Sequence, residues 1–354
     1  MGVLVDHLYQ TWMKWNPIPL PPPDTFSGQT AVVTGGTGGL GLAAATHLIN
    51  LGASEVVISS RNPSRSRKAL EALEKATGGK SSGKVKVLEL DMESYESVVS
   101  FANKVNDVKR GLGGVDVVIL NAGTIGTDPI IAKEGWEQNI QVNTLSTVLL
   151  ASLLLPQMKS ERTNRSTPAH LSIVGSMRFV DPDITEWATW QSEKNEGVLE
   201  HLSKPPNWPG PQPMYAATKL LVAYAFRELV ERAIGADSHR PEVILNILCP
   251  GAVKTDLARN FRDKSVAFVI LVEVFQTLFG KSPEDGARTY MASVTTSESE
   301  HGKFVQFYKS ESQMKVLERK VITSAAGRAM QTQVWKEITA ELVAKAPETS
   351  AFLQ

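Results

Sequence analysis

The chain has little of several features that would place it in a special class. It holds one cysteine, Cys249, among 354 residues, so it cannot form an internal disulfide, as suits a reducing compartment. Lys plus Arg and Asp plus Glu both total 37, and the formal net charge is zero. This balance gives no support for a nucleic-acid partner or an acidic membrane surface.

Long hydrophobic runs are also lacking. The longest, residues 266–272, is followed by Glu273 and is too short and too polar to span a bilayer. Near the start, Asp6 and His7 interrupt the apolar residues, so we expect no secretory signal. The sequence therefore predicts a cytoplasmic protein with no transmembrane segment, and it predicts no metal site.

Strand-like and helix-like segments alternate from Thr30 onward. The pattern predicts strands at 30–33, 55–59, 85–90, 115–120, 170–174, 242–248 and 304–308. It predicts helices at 40–51, 64–76, 94–105, 132–158, 214–232 and 332–344. Apolar strands that alternate with helices predict an α/β fold, a doubly wound parallel sheet of about seven strands, with ligands outside their carboxyl ends.

The pattern also divides the chain. Residues 1–27 form a leader in which Trp12 and Trp15 lie at helical spacing before a proline-rich linker. These indoles either dock on a membrane or partner or, as we favour, pack back onto the domain. Residues 28–310 form the main domain, and 311–354 form a C-terminal helical extension.

A glycine-rich turn follows the first predicted strand, in the run Thr34-Gly35-Gly36-Thr37-Gly38-Gly39-Leu40-Gly41. Such a turn lets backbone N–H groups approach a dinucleotide pyrophosphate, and the next helix adds partial positive charge at its N-terminus. An ordinary strand-to-helix turn is the alternative. We expect the cofactor to contact Gly35, Thr37, Gly39, Leu40 and Gly41.

Three later strand ends extend this predicted site. Arg61 stands 20 residues after Gly41 with no carboxylate from 56 to 68, which favours the extra phosphate of NADP unless Arg61 only faces solvent. Asp91 either accepts from the adenine amino group or caps the next helix. In Asn121-Ala122-Gly123, small residues let the chain pass beneath the cofactor while Asn121 ties adjacent strands together.

A catalytic set is predicted at the same edge of the sheet. Tyr215 and Lys219 lie four residues apart on one helix face, so the ammonium should lower the tyrosine pKa and make Tyr215 an acid or base. Ser176 follows the fifth strand and could bond the reacting oxygen. Asn143 is unusual inside a helix, which suggests that it holds a water. The turn Pro250-Gly251 and Thr255 would shape the nicotinamide pocket.

Taken as an ordered set, these residues resemble the short-chain dehydrogenase/reductase superfamily. The resemblance implies a Rossmann-type fold and nicotinamide-dependent redox chemistry. It makes Tyr215 the acid/base, with Lys219 holding the nicotinamide ribose, Ser176 orienting the substrate and Asn143 anchoring a proton-relay water. The cofactor site would also include Val253. The motifs Ser60-Arg61-Asn62 and Ser282-Pro283-Glu284-Asp285-Gly286-Ala287 are similar to the retinol-dehydrogenase-like branch and to fungal secondary-metabolite enzymes.

One departure from the family concerns the 39 residues that separate Ser176 from Tyr215. We expect the insertion 177–213 to cover the active site and to offer aromatic surface from Trp187, Trp190 and Trp208. A surface excursion packed on itself is equally open. The apolar region 255–280 would form the other wall and favour an apolar substrate, although core packing or an oligomer contact would explain it too.

The sequence thus predicts an NADP(H)-dependent oxidoreductase that interconverts a ketone or aldehyde and an alcohol on a bulky hydrophobic small molecule. A secondary metabolite of polyketide or terpenoid type is expected, and the family makes a homodimer possible. Two alternatives are a non-redox cyclisation, isomerisation or epimerisation with bound NADP(H), and a non-catalytic NADP(H) sensor. The complete set of Asn143, Ser176, Tyr215 and Lys219 argues against the sensor.

Overall fold

A seven-stranded parallel sheet organises the molecule. The computed structural model describes residues 12–109, 114–254 and 280–354. The strands of these ranges lie in the order β3-β2-β1-β4-β5-β6-β7, and they are β1 (Thr30–Val33), β2 (Glu55–Ser60), β3 (Val85–Glu89), β4 (Val117–Leu120), β5 (Ala169–Val174), β6 (Val243–Leu248) and β7 (Phe304–Val305). The order reverses beside β1, which pairs with both β2 and β4. This confirms the predicted fold class and places a crevice at the carboxyl ends of β1 and β4.

Helices cover both faces of the sheet. They are α1 (Gly39–Asn50), α2 (Pro63–Ala76), α3 (Tyr95–Lys109), α4 (Gln138–Ile140), α5 (Ser146–Ser160), α6 (Ile184–Lys194), α7 (Val198–Ser203), α8 (Pro211–Arg232), α9 (Pro283–Ser293), α10 (Glu311–Glu318), α11 (Ala325–Lys345) and α12 (Ser350–Leu353). Every residue of β1, β4 and β6 is buried, as expected of strands covered on both sides.

The sheet separates two apolar cores. Residues of α1 and α9, such as Leu48 and Met291, pack on one face. Residues of α3, α5 and α8, such as Phe101, Leu149 and Leu221, pack on the other. The insertion and the C-terminal helices join this second core, so the predicted 311–354 extension is helical and lies against the domain.

The long helix before β5 begins later than predicted. It starts at Gln138 rather than at residue 132, because the Glu137 carboxylate accepts hydrogen bonds from the N–H groups of Asn139 and Ile140. A π turn, Gln141–Leu145, interrupts it. The stretch Gln138–Ser160 is long and apolar enough to cross a membrane, but 89% of its apolar window is buried inside the protein. It is a core helix.

The insertion packs on the C-terminal helix α11. The Glu337 carboxylate of α11 accepts hydrogen bonds from Val198 N (3.0 Å) and Leu199 N (2.9 Å) at the start of α7. Trp187 and Trp190 are buried, and the Trp190 ring stacks on His201 with centroids 3.8 Å apart. The expectation that these two indoles offer surface to a substrate is therefore wrong, because the core uses that surface. A lid role for the segment stays a prediction.

Residues 12–15 of the leader are helical, and the predicted residues 1–11 lie outside the described part of the chain. Met13 is 3% exposed and packs with Cys249 and Tyr308. Trp12 and Trp15 are 53% and 76% exposed, so the favoured expectation that the indoles pack back onto the domain is wrong. Met13, which lies between the two indoles in the sequence, is the residue that packs onto the domain.

Candidate active site

The glycine-rich turn joins β1 to α1 in a conformation that few other sequences allow. Gly35 and Gly39 have φ values of +65° and +51°, in the left-handed region. A Cβ on Gly41 would lie 2.4 Å from the Gly35 carbonyl oxygen, so the helix can approach the turn only because a side chain is lacking there. The first turn of α1 has no side-chain cap and no acidic residue. The free N–H groups of this first turn can therefore bind a phosphate. The close approach of the backbone at Gly41 leaves room for one beside them.

Side chains from the neighbouring strands hold this turn in place. Gly35 N donates to Ser59 Oγ (2.9 Å), and the Thr34 hydroxyl accepts from the N–H groups of Asn121 (2.9 Å) and Ala122 (3.0 Å). Asn121 Nδ2 donates to the Thr34 carbonyl oxygen at 2.8 Å. The predicted tie between adjacent strands by Asn121 is therefore present in the structure.

Ser176, Tyr215 and Lys219 meet where β5 ends. Ser176 lies two residues past β5, and α8 carries Tyr215 and Lys219 beside it. Ser176 Oγ accepts from Arg178 N at 3.3 Å, and its hydroxyl lies close enough to the Tyr215 phenol to lower the phenol pKa. Lys219 Nζ donates to the Val174 carbonyl oxygen at 2.7 Å and lies 5.4 Å from the centroid of the Tyr215 ring. A hydroxyl, a phenol and an ammonium thus share one site.

The pKa values of Tyr215 and Lys219 are shifted in a different way from the one that the sequence predicts. Burial raises the pKa of Tyr215, and it outweighs the opposite effects of the nearby Ser176 hydroxyl and the Arg178 charge. Burial also lowers the pKa of Lys219 from 10.5 to about 8. The predicted lowering of the Tyr215 pKa is therefore wrong here, because the ammonium faces the ring and a carbonyl, and desolvation dominates.

Asn143 lies in the π turn, and both ends of its amide are engaged. Its Oδ1 accepts from Thr124 N (2.8 Å), and its Nδ2 donates to the Thr124 carbonyl (2.9 Å) and the Thr218 hydroxyl (3.1 Å). The side chain thus links the loop that follows β4 to α8, the helix that carries Tyr215 and Lys219. The predicted role of Asn143 in holding a water stays a prediction.

Comparison with known proteins identifies the family. A family model described as short chain dehydrogenase matches residues 29–169. The short-chain dehydrogenase/reductase phmF of Phaeosphaeria nodorum is 31% identical over 343 residues, 97% of this chain and 94% of that protein. The chain belongs to the short-chain dehydrogenase/reductase family. The short chain dehydrogenase/reductase mfmJ of Annulohypoxylon moriforme agrees, with 33% identity over 91% of this chain and 87% of the relative.

Solved structures of short-chain dehydrogenases share the fold. A complex of Pseudomonas aeruginosa RhlG with NADP superposes with a TM-score of 0.55 and 18% identity, over 79% of this chain and 96% of that one. An alcohol dehydrogenase of Thermococcus sibiricus, complexed with 5-hydroxy-NADP, gives 0.54 and 19%, over 80% and 98%. These structures confirm the predicted fold. The relatives phmF and mfmJ confirm the predicted superfamily and the similarity to fungal members.

In this short-chain dehydrogenase, the predicted adenosine end of the site is rich in charge. Arg61 Nη1 lies 3.2 Å from Glu93 Oε1 and 3.7 Å from Asp91 Oδ1, and its side chain is 56% exposed. Asp91 Oδ1 accepts from Glu93 N at 3.1 Å, in the turn before α3. Asp91 is not the cap of that helix, because Ser94 Oγ accepts from Ser97 N at the helix start. Adenine binding by Asp91 stays a prediction. Sequence reasoning missed Glu93, because it considered carboxylates only near Arg61 in the chain.

The predicted nicotinamide end of the site is described in part. Gly251 has a φ of +78°, so the turn after β6 depends on glycine. Val253 forms a parallel bridge with Lys281, whose side chain is buried beside the Gly251 turn. The predicted cofactor contact Thr255 and nearly all of the 255–280 wall lie outside the described residues.

Proposed function

We propose that this protein is an NADP(H)-dependent oxidoreductase that interconverts a ketone or aldehyde and an alcohol on a bulky hydrophobic small molecule. The observation that carries the proposal is the meeting of Ser176, Tyr215 and Lys219 where β5 ends, at the same edge of the sheet as the glycine-rich turn. A cytoplasmic location and a homodimer belong to the same proposal.

The side chains divide the work at the substrate oxygen. Because burial raises its pKa, Tyr215 keeps its proton at neutral pH and can donate it to a developing alkoxide. The Ser176 hydroxyl orients the same oxygen by a hydrogen bond. Lys219, charged below about pH 8, stabilises negative charge that develops there. Bound nicotinamide would supply or accept the hydride.

The preference for NADP(H) rests on Arg61. Its exposed guanidinium follows β2, where it could pair with the extra ribose phosphate. Glu93 competes for the same guanidinium, so the phosphate would have to displace or share this ion pair. The N–H groups at the start of α1 complete the proposed site for the pyrophosphate.

The proposed substrate class rests on composition and on relatives. Residues 266–279 are rich in Val, Leu and Phe, which suits an apolar pocket wall. The relatives phmF and mfmJ are short-chain dehydrogenase/reductases of fungi. This similarity supports the proposal of a secondary metabolite as substrate.

A hydride-transfer experiment tests this function. The protein is incubated with NADPH deuterated at the transferable position and with a small-molecule extract of its source, followed by mass spectrometry. We expect one compound to gain a deuteron, and we expect Tyr215→Phe to lower that transfer by about three orders of magnitude while retaining NADPH. Tyr224→Phe is the matched control, since it removes another phenol of α8 that bonds only Val321 O, at 2.6 Å.

Different results would point elsewhere. A product of unchanged mass that forms only with wild-type protein would replace the proposal by a non-redox reaction. Equal transfer by wild type and Tyr215→Phe would remove Tyr215 from the mechanism. Binding of NADPH without any converted compound in either direction would favour the sensor.

A further inference from the structure

Tyr290 lies behind the glycine-rich turn, on helix α9. Its side chain is completely buried, at 0% exposure. The phenol donates a hydrogen bond of 2.7 Å to Asn121 Oδ1. Burial raises the pKa of Tyr290 well above its ordinary value, so the hydroxyl remains a donor throughout the usual pH range. Neither the sequence pattern nor the reaction proposed above assigns this residue a role.

The hydrogen bond fixes which way the Asn121 amide points. On its other side, Nδ2 donates to the carbonyl oxygens of Thr34 (2.8 Å) and Gly35 (3.4 Å). A rotated amide would turn its oxygen toward these two acceptors and its NH2 toward the phenol. Because the phenol anchors one end and the carbonyls the other, only one orientation satisfies all the groups.

The oriented amide is also a wall of the turn. A Cβ on Gly35 would lie 3.0 Å from Asn121 Nδ2, and a Cβ on Gly41 would lie 2.6 Å from it. Asn121 thus contacts both glycines that allow the turn to close on the helix. A shift of the amide would move the backbone whose N–H groups face the predicted phosphate site.

We propose that Tyr290 is a positioning residue for the cofactor turn, acting through Asn121 to hold the glycine-rich backbone in its pyrophosphate-binding form. This inference rests on the proposed function, since it requires a dinucleotide at the turn. The hydroxyl of this buried residue bonds Asn121 Oδ1, behind the turn. Its removal should therefore act first on affinity for the dinucleotide.

The test compares Tyr290→Phe with Tyr224→Phe. Both changes remove one hydroxyl from a fully buried tyrosine that bonds a single oxygen, so both should cost similar stability, as thermal unfolding would show. Only Tyr290→Phe should weaken NADPH binding, by about tenfold in a fluorescence titration, because Asn121 Oδ1 loses its partner. In an Asn121→Ala background, Tyr290→Phe should cause no further loss.

A second probe separates positioning from general damage. Adenosine 2′-phosphate has no pyrophosphate, so its affinity should be equal in wild type and Tyr290→Phe. Unchanged NADPH affinity in Tyr290→Phe, or an equal loss for both ligands, would overturn the role of Tyr290 alone. If the wild-type protein bound neither NADPH nor NADH, the proposed function would fail first, and the role of Tyr290 with it.

Discussion

At the residue scale, the buried ammonium of Lys219 makes the free energy of unfolding depend on pH in the alkaline range. Its side chain is 6% exposed, and burial lowers its pKa from 10.5 to about 8. Below about pH 8 the ammonium is charged in both the folded and the unfolded chain. The whole free-energy cost of desolvating this ammonium then lowers the free energy of unfolding. Between these two pKa values only the unfolded chain keeps the proton, and the cost declines as the pH rises.

Lys219→Met should expose this dependence. We expect the free energy of unfolding of the variant, relative to wild type, to fall by about 2 kcal/mol between about pH 7 and pH 10. Urea unfolding of both proteins across that range measures the difference. A constant difference would show that the Lys219 ammonium titrates normally.

Arg61 offers a second test at this scale, on cofactor choice. Arg61→Asp places a carboxylate where the extra phosphate of NADPH is proposed to lie, so the preference for NADPH over NADH should fall by about a hundredfold. Dissociation constants for the two cofactors give the ratio. Arg67→Asp makes the same charge change on the exposed side of α2 and should leave the ratio nearly unchanged. Equal ratios in all three proteins would remove Arg61 from the site.

At the scale of elements, Glu337 joins the insertion to the C-terminal helix. It supplies the cap that Gly197, which has no side chain, cannot give to α7. Glu337→Ala should lower the free energy of unfolding by about 1–2 kcal/mol and speed proteolysis within 177–213. Lys336→Ala, on the exposed side of α11, is the control. If the two variants resist protease equally, the contact does not hold the insertion.

Local signals decided which elements could be read from the sequence. The strand predicted at 30–33 is β1, because its apolar run ends at glycines that cannot continue it. The start of the long helix was wrong by six residues, since the Glu137 cap was not recognised. In the sequence, the indoles of the insertion suit either a core or a surface that faces a substrate, and only the folded chain shows that Trp187 and Trp190 are buried.

At the scale of the whole molecule, the order of motifs along the chain made the sheet predictable. Most of the motifs follow strands, and the carboxyl ends of parallel strands share one edge. The partners that the sequence did not reveal are distant in the chain. Tyr290 is 169 residues from Asn121, and Glu93 is 32 residues from Arg61. No periodicity or spacing connects such pairs, because only the packed fold brings them together.

The contact between Met13 and Cys249 makes the reactivity of Cys249 a measure of whether the leader is packed on the domain. The methionine covers Cys249, the only thiol in the sequence, and Cys249 directly precedes the Pro250-Gly251 turn. A thiol-reactive dye should therefore label Cys249 slowly while Met13 packs on it, and rapidly once that contact is broken. Labelling kinetics alone can then show whether an affinity tag fused ahead of residue 1 disturbs the contact between Met13 and Cys249, with no engineered cysteine and no known substrate.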